Sequence, residues 1–365
     1  MRSVAILLLL THAILVLANA PSSAHLSHFG AGAKANRLTY VGVNIAGLTF
    51  GCTIDGSCNL SSIRLPLRQY SGVDGEGQMQ HFVKDDGMNI FRLPVSWQFL
   101  TGGVQTAKLN QTRFTEYDNL VQACLNTGAH CVIDVHNYAR FNGKIIGQGG
   151  PTNGLFSQLW TNIASKYSSE SNILFGIMNE PHDMPKIQTW ADTVQAAVTA
   201  IRRTGATKQI ILLPGDNFTA AKTFVSSGSA DALSKVVDFD GSTKNLVFDV
   251  HQYLDSDNSG THTECVTNNI QAAWRPFASW LRANGRQALV TETGGGNTDS
   301  CISFLCQQNA FLAQNSDVFL GYLGWAAGSF ASNYELNGVP TWNGNKWVDT
   351  PLVKRCISPN SSSQG

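Results

Sequence analysis

Two glutamates close apolar runs in this chain: Glu180 in Phe175-Gly-Ile-Met-Asn-Glu-Pro181 and Glu292 in Leu289-Val-Thr-Glu-Thr-Gly294. Two carboxyl groups in one site can divide acid–base work. A protonated one can release a leaving oxygen, while an ionised one can attack an anomeric carbon. Hydrolysis of a glycosidic bond with retained stereochemistry uses such a pair about 5–5.5 Å apart. These two residues are 112 positions apart. Only a fold that gathers distant strand ends at one place can make them neighbours.

The elements needed to do so are legible. Apolar runs suited to strands buried on both faces recur at 39–45, 88–93, 131–135, 173–178, 209–213, 246–250, 288–291 and 319–325. Helical patterns lie between them. Tyr117, Leu120, Val121, Cys124 and Leu125 share one face, as do Phe156, Leu159, Trp160, Ile163 and Tyr167. Trp274, Phe277 and Leu281 repeat the spacing before Gly285. The strand–helix alternation predicts an α/β fold, a single-domain (β/α)8 TIM barrel with disulfide-stapled loops. A doubly wound sheet is the competitor, but no Gly-x-Gly-x-x-Gly or phosphate loop succeeds any strand.

The residues at the carboxyl ends of these strands point to one working rim. Strand two leads into Arg92 and Trp97, strand three into His136, Asn137, Tyr138 and Arg140, and strand four into Asn179-Glu180-Pro181-His182-Asp183. Strand six ends in Asp249-Val-His251-Gln-Tyr253, strand seven in Glu292 and strand eight in Trp325. The ordered set Arg92, His136, Asn179, Glu180, His251, Tyr253, Glu292 and Trp325 resembles glycoside hydrolase family 5, in particular its secreted fungal endo-β-1,4-glucanases. The segments Gly147-Gln-Gly-Gly-Pro151 and Thr291-Glu-Thr-Gly-Gly-Gly-Asn297 carry the same resemblance. Many of those enzymes also have a small cellulose-binding module on a Ser/Thr-rich linker, and no such segment is found in this sequence.

The resemblance implies roles. Glu180 is expected to serve as general acid and then general base, its pKa raised by burial and nearby negative charge. Glu292 is expected to be the ionised nucleophile, held so by Arg92 and by the hydroxyl of Tyr253. Asn179 would hold the sugar 2-hydroxyl. His136 and His251 would bond sugar hydroxyls or orient the carboxylates, and Trp325 would offer an apolar floor to a sugar ring. Plainer readings stand beside these: Arg92 as a structural ion-pair partner, Trp325 as barrel packing, and Trp97, Tyr138 and Phe141 as either subsite or packing aromatics. His182 and Asp183 read as shapers of a loop, and His81 and His130 as structural histidines.

Other chemistries find little support. No Gly-x-Ser-x-Gly elbow or His-Glu-x-x-His motif occurs. His136 and His251 lack a third ligand at suitable spacing, so neither a metal nor another cofactor is expected. The activity expected is that of a retaining endo-β-1,4-glucanase. The same machinery on mannan, mixed-linkage glucan or xyloglucan, and a catalytically silent carbohydrate-binding protein, remain alternatives.

The ends of the chain and its composition bear on location. Residues 1–20 read as a secretory signal peptide, 21–36 as a short leader, 37–357 as the catalytic domain and 358–365 as a flexible tail. The formal net charge is zero. With no basic stripe and no later apolar span, neither nucleic acid nor membrane is an expected partner, and a monomer acting on a neutral polysaccharide is. Eight cysteines in a secreted chain suggest disulfides. The pairing proposed is Cys52–Cys58, Cys124–Cys131, Cys265–Cys301 and Cys306–Cys356, because Cys301 and Cys306 point in different directions on one helix. No Cys-x-x-Cys pair suggests zinc. Sequons at Asn59, Asn110, Asn217 and Asn360 mark candidate glycosylation sites.

Overall fold

The computed structural model describes residues 37–360. The expected signal peptide and leader, and residues 361–365 of the expected tail, lie outside the described residues. Eight strands form the central sheet: β1 (Tyr40–Ala46), β2 (Ile90–Val95), β3 (His130–Val135), β4 (Ile173–Gly176), β5 (Ile211–Pro214), β6 (Leu246–His251), β7 (Ala288–Thr293) and β8 (Phe319–Gly328). They close into a parallel barrel in the order β1-β8-β7-β6-β5-β4-β3-β2. All eight apolar runs become these strands, with ends shifted by a few residues.

One residue from each strand builds an apolar ring: Tyr40, Ile90, Val132, Leu174, Leu212, Val247, Leu289 and Leu323. It is distinct from the larger core between strands and helices. Side chains alternate along a strand, so the inward positions recur every second residue. Two steps above the ring that rule places Arg92, Asp134, Asp249, Thr291 and Trp325, and four steps above it Asn44. The interior therefore changes from apolar to polar within about 7 Å of strand. Glu292 breaks the period. The register of β6 against β7 shifts after Val250↔Val290, and His251 then stands opposite Glu292. This irregularity turns a glutamate inward where strict alternation would turn it away.

The helices cover the outside. They include α1 (Gly75–Lys84), α2 (Gln111–Leu125), α3 (Asn153–Tyr167), α4 (Ile187–Arg203), α5 (Ser229–Leu233), α6 (Arg275–Ala283) and α7 (Asp299–Gln314). Side chains cap helix starts: Thr152 Oγ1 accepts from Leu155 N, and Thr298 Oγ1 from Cys301 N. Trp274 shares the inward face expected of it, but it closes a wider π turn, Ile270–Trp274, ahead of α6.

The disulfides join Cys52–Cys58, Cys124–Cys131, Cys265–Cys301 and Cys306–Cys356. Cys301 and Cys306, both on α7, reach different partners. The segment expected to be free from Ser358 onward begins anchored instead: Ser358 is buried and its hydroxyl donates to Asp86 O at 3.2 Å. Asn360 Nδ2 donates to Asp85 O. All four sequon asparagines are exposed. Among the described residues, no helix is long and apolar enough to cross a membrane.

Candidate active site

Arg92 organises the mouth of the barrel. It is fully buried. Its Nη1 donates to Asn44 Oδ1 at 3.0 Å and to Glu292 Oε1, and its Nη2 donates to Asn179 Oδ1 at 2.7 Å and lies 2.9 Å from Asp134 Oδ2. A planar guanidinium can serve four partners from fixed directions, which a single ammonium cannot. Burial alone would lower the Arg92 pKa, but Asp134, Glu292 and Asp249 raise it above its ordinary value. The arginine is a permanent cation.

Glu292 accepts from Arg92 and, through Oε2, from the Tyr253 hydroxyl at 2.8 Å. Burial would push its carboxyl up, but the charges of His251, Arg92 and His136, with the tyrosine hydroxyl, hold it below its ordinary value. Burial, then Glu292 and Glu180, push the Tyr253 phenol well above its ordinary range, so it remains a donor. These contacts favour a carboxylate at Glu292.

Glu180 lies just past β4 on a backbone with φ of 41°, in the left-handed region. A non-glycine residue there costs about 1–3 kcal/mol and persists only where surroundings enforce it. Here Phe218 N donates to Pro181 O at 2.9 Å, and His251 Nδ1 lies 2.6 Å from Glu180 Oε1. The other ring nitrogen of His251 faces Thr291 Oγ1 at 2.9 Å, and that hydroxyl donates to Asp249 Oδ1. Thr291 Oγ1 therefore accepts from His251 Nε2–H, and Nδ1 shares a proton with Glu180. Burial would lower the His251 pKa, but Glu292, Glu180 and Asp249 raise it. His251 Nδ1 also lies 3.6 Å from Glu292 Oε2. One oxygen of Glu180, one of Glu292 and the imidazole nitrogen all lie within 4.8 Å of one another.

Two further features face the same space. Asn179 is buried, its oxygen is held by Arg92, and its Nδ2 has no hydrogen-bond partner. Unpaired buried donors are uncommon and costly, so this one is set toward a ligand acceptor. Trp325 is half-buried; its ring stacks with His136 at 5.7 Å and 17°, and its Nε1 donates to Tyr334 at 2.9 Å. His136 Nδ1 is 2.7 Å from Asp134 Oδ2. His136 is thus fixed between a carboxylate and an aromatic face.

The eight residues read as site candidates all gather at the mouth. Trp97 and Phe141 do not; both are buried and pack edge to face at 5.3 Å. His182 bonds Asp183 at 2.7 Å and Ile54 O at 2.9 Å, which is a loop-shaping role. Sequence reasoning assigned no role to Asn44 and Thr291, and placed Asp134 and Asp249 on the rim without one; these four hold Arg92 and His251. Their signal was a polar residue inside each apolar run. Three His/Asp/Glu clusters among the described residues have metal-compatible spacing: Glu180–His251–Glu292, His81–Asp86–Asp349 and Asp255–Asp257–His262, the last with only Asp255 buried. In the first, the Arg92 cation already compensates Glu292, which opposes a second cation.

A model of the cellulase family, glycosyl hydrolase family 5, matches residues 53–329. Endoglucanase EG-II of Hypocrea jecorina is 60% identical over 323 residues, covering 87% of this chain and 77% of that protein. The crystal structure of Cel5A (EG2) from Hypocrea jecorina superimposes with a TM-score of 0.87 at 59% identity, over 88% of this chain and 98% of that one. XacCel5A in complex with cellopentaose matches with a TM-score of 0.75 at 31% identity, over 86% and 96% of the two chains. Closed barrel, gathered carboxyl groups and these matches agree, and the chain belongs to the cellulase family, glycosyl hydrolase family 5.

Proposed function

We propose that this protein is a retaining endo-β-1,4-glucanase that cuts internal bonds of cellulose and soluble β-glucans. The observation that carries the reading is the approach of Glu180 and Glu292 to within 4.8 Å across His251. That spacing suits direct attack by a carboxylate and leaves no room for an intervening water, as inversion would need. The relatives' names, endoglucanase in one case and a cellopentaose complex in another, support a β-1,4-glucan as substrate.

Glu180 delivers to the leaving oxygen the proton it shares with His251. Glu292, ionised between Arg92 and Tyr253, attacks the anomeric carbon and forms a glycosyl-enzyme ester. Glu180 then takes a proton from an incoming water, which releases the sugar. Asn179 Nδ2 bonds the 2-hydroxyl, and Trp325 lies against a ring's C–H face. Each of these steps is carried by the chain's own side chains. We further infer that residues 37–357 act as a monomeric catalytic domain, exported by the segment at 1–20 and carrying glycans on exposed sequons.

Side-by-side assay on carboxymethylcellulose, mannan and β-1,3-glucan tests the substrate, with cellulose-type activity expected to dominate. Negligible activity on carboxymethylcellulose removes the specificity. A 2-fluoro-glycoside inactivator is expected to label Glu292, and labelling elsewhere refutes the assignment. Reducing-sugar release that survives Glu292→Gln would return the protein to a carbohydrate-binding reading.

A further inference from the structure

Outside the barrel mouth, three carboxyl groups converge on one buried imidazole. His81, near the end of α1, is 6% exposed, and Asp86, just beyond that helix, is 6% exposed. His81 Nε2 lies 2.8 Å from Asp349 Oδ1 and 3.5 Å from Asp86 Oδ2. The three residues offer ligand atoms within 4.8 Å of one another. Asp86 Oδ2 is buried and accepts no hydrogen bond. On the far side of the ring, His81 Nδ1 sits 2.7 Å from Asp85 Oδ2.

Each feature has a consequence for ligand chemistry. A buried carboxylate, Asp86, beside a half-buried one, Asp349, is repelled by it unless a proton or cation lies between them. An Nδ1–H bonded to a carboxylate leaves Nε2 as the ligating nitrogen and strengthens it, the usual support of a metal-bound histidine. An ion with bonds of about 2.0–2.2 Å sets its ligand atoms roughly 3–3.5 Å apart, close to the separations here. One nitrogen and two carboxylate oxygens suit a first-row ion that accepts imidazole beside carboxylates, borderline zinc or harder manganese, better than calcium or magnesium, which prefer oxygen alone.

We propose that His81, Asp86 and Asp349 form a structural binding site for a first-row divalent cation, Zn2+ or Mn2+, with Asp85 orienting the imidazole. The site ties α1 to the C-terminal part of the chain, where Trp347 stacks on His81 at 6.2 Å. Its ligands come from segments 263 or more residues apart, so an ion there clasps the two ends of the barrel domain together. The proposal is independent of the glycosidase reading.

The test is elemental analysis and thermal unfolding of the full chain, stripped with EDTA, dialysed and titrated with ZnCl2 or MnCl2. One equivalent of either ion per chain is expected, with Tm raised by about 3–6 °C at saturation. Asp349→Asn and His81→Gln should each abolish that rise, whereas Glu292→Gln should keep it. Absence of bound metal and of any shift in the intact chain overturns the proposal, whatever the variants do. A rise that survives both ligand variants, or one that is lost in Glu292→Gln instead, overturns it equally.

Discussion

Replacing Tyr253 by Phe isolates one contact to the nucleophile. The hydroxyl lies 2.8 Å from Glu292 Oε2 and is buried with it. A hydrogen bond to a charged group contributes about 1.5–3 kcal/mol. At about 1.36 kcal/mol per tenfold, its loss corresponds to roughly a 10- to 150-fold fall in kcat/KM where activity is limited by Glu292 ionisation. The sign comes from linkage. The folded-state pKa of Glu292 is held low, so its ionisation contributes stability above the unfolded value and loses it as pH falls through the folded one. Without the hydroxyl the carboxyl titrates at higher pH. The acid limb of the pH–activity profile should therefore move upward, while the plateau loses less, under about 10-fold, because Arg92 and His251 remain. Thermal stability should fall more at neutral pH than at strongly acid pH, where Glu292 is protonated in both proteins. Kinetics on a soluble chromogenic cello-oligosaccharide from about pH 3 to 8 would measure this. A uniform loss at every pH, with the acid limb unmoved, would refute the reasoning that the hydroxyl acts on ionisation.

Other outcomes rest on the same geometry. Arg92→Lys keeps the charge but loses the fork, leaving a buried carboxylate short of a partner at a cost of about 3–5 kcal/mol. Stability by denaturant titration and kcat/KM should both drop, the latter by roughly 100-fold or more, and a loss below tenfold would show that charge alone suffices. Asn179→Ala should lower kcat/KM roughly 10-fold or more on glucosides, yet far less on 2-deoxy glucosides, because the lost contact is to that hydroxyl. Equal losses on both would remove the assignment. Cys306→Ser with Cys356→Ser opens a link spanning 50 positions, so about 4 kcal/mol of stability should go. Calorimetry should show Tm lower by roughly 5–10 °C; an unchanged Tm would mean that the anchoring by Ser358 and Asn360 holds that end unaided.

The barrel was legible in the residues alone, because its signal is local and repeated. Eight apolar runs with helical patterns between them leave few other ways to bury both faces of each strand. The catalytic candidates were legible too, since polar and titratable residues gather at the carboxyl ends of the runs, and those ends share one mouth in a barrel. How those groups are held was set only by folding in three dimensions. Asn44, Asp134 and Thr291 sit within apolar runs, where only the inward pleat and the neighbouring strand's register reveal them as partners of Arg92 and His251. Glu292 faces inward because a register shift overrides alternation, and no local pattern encodes that shift. The His81 cluster was still less visible: its members join α1 to a segment near the far end of the chain, and long-range proximity is set by closure of the barrel rather than by spacing along the sequence.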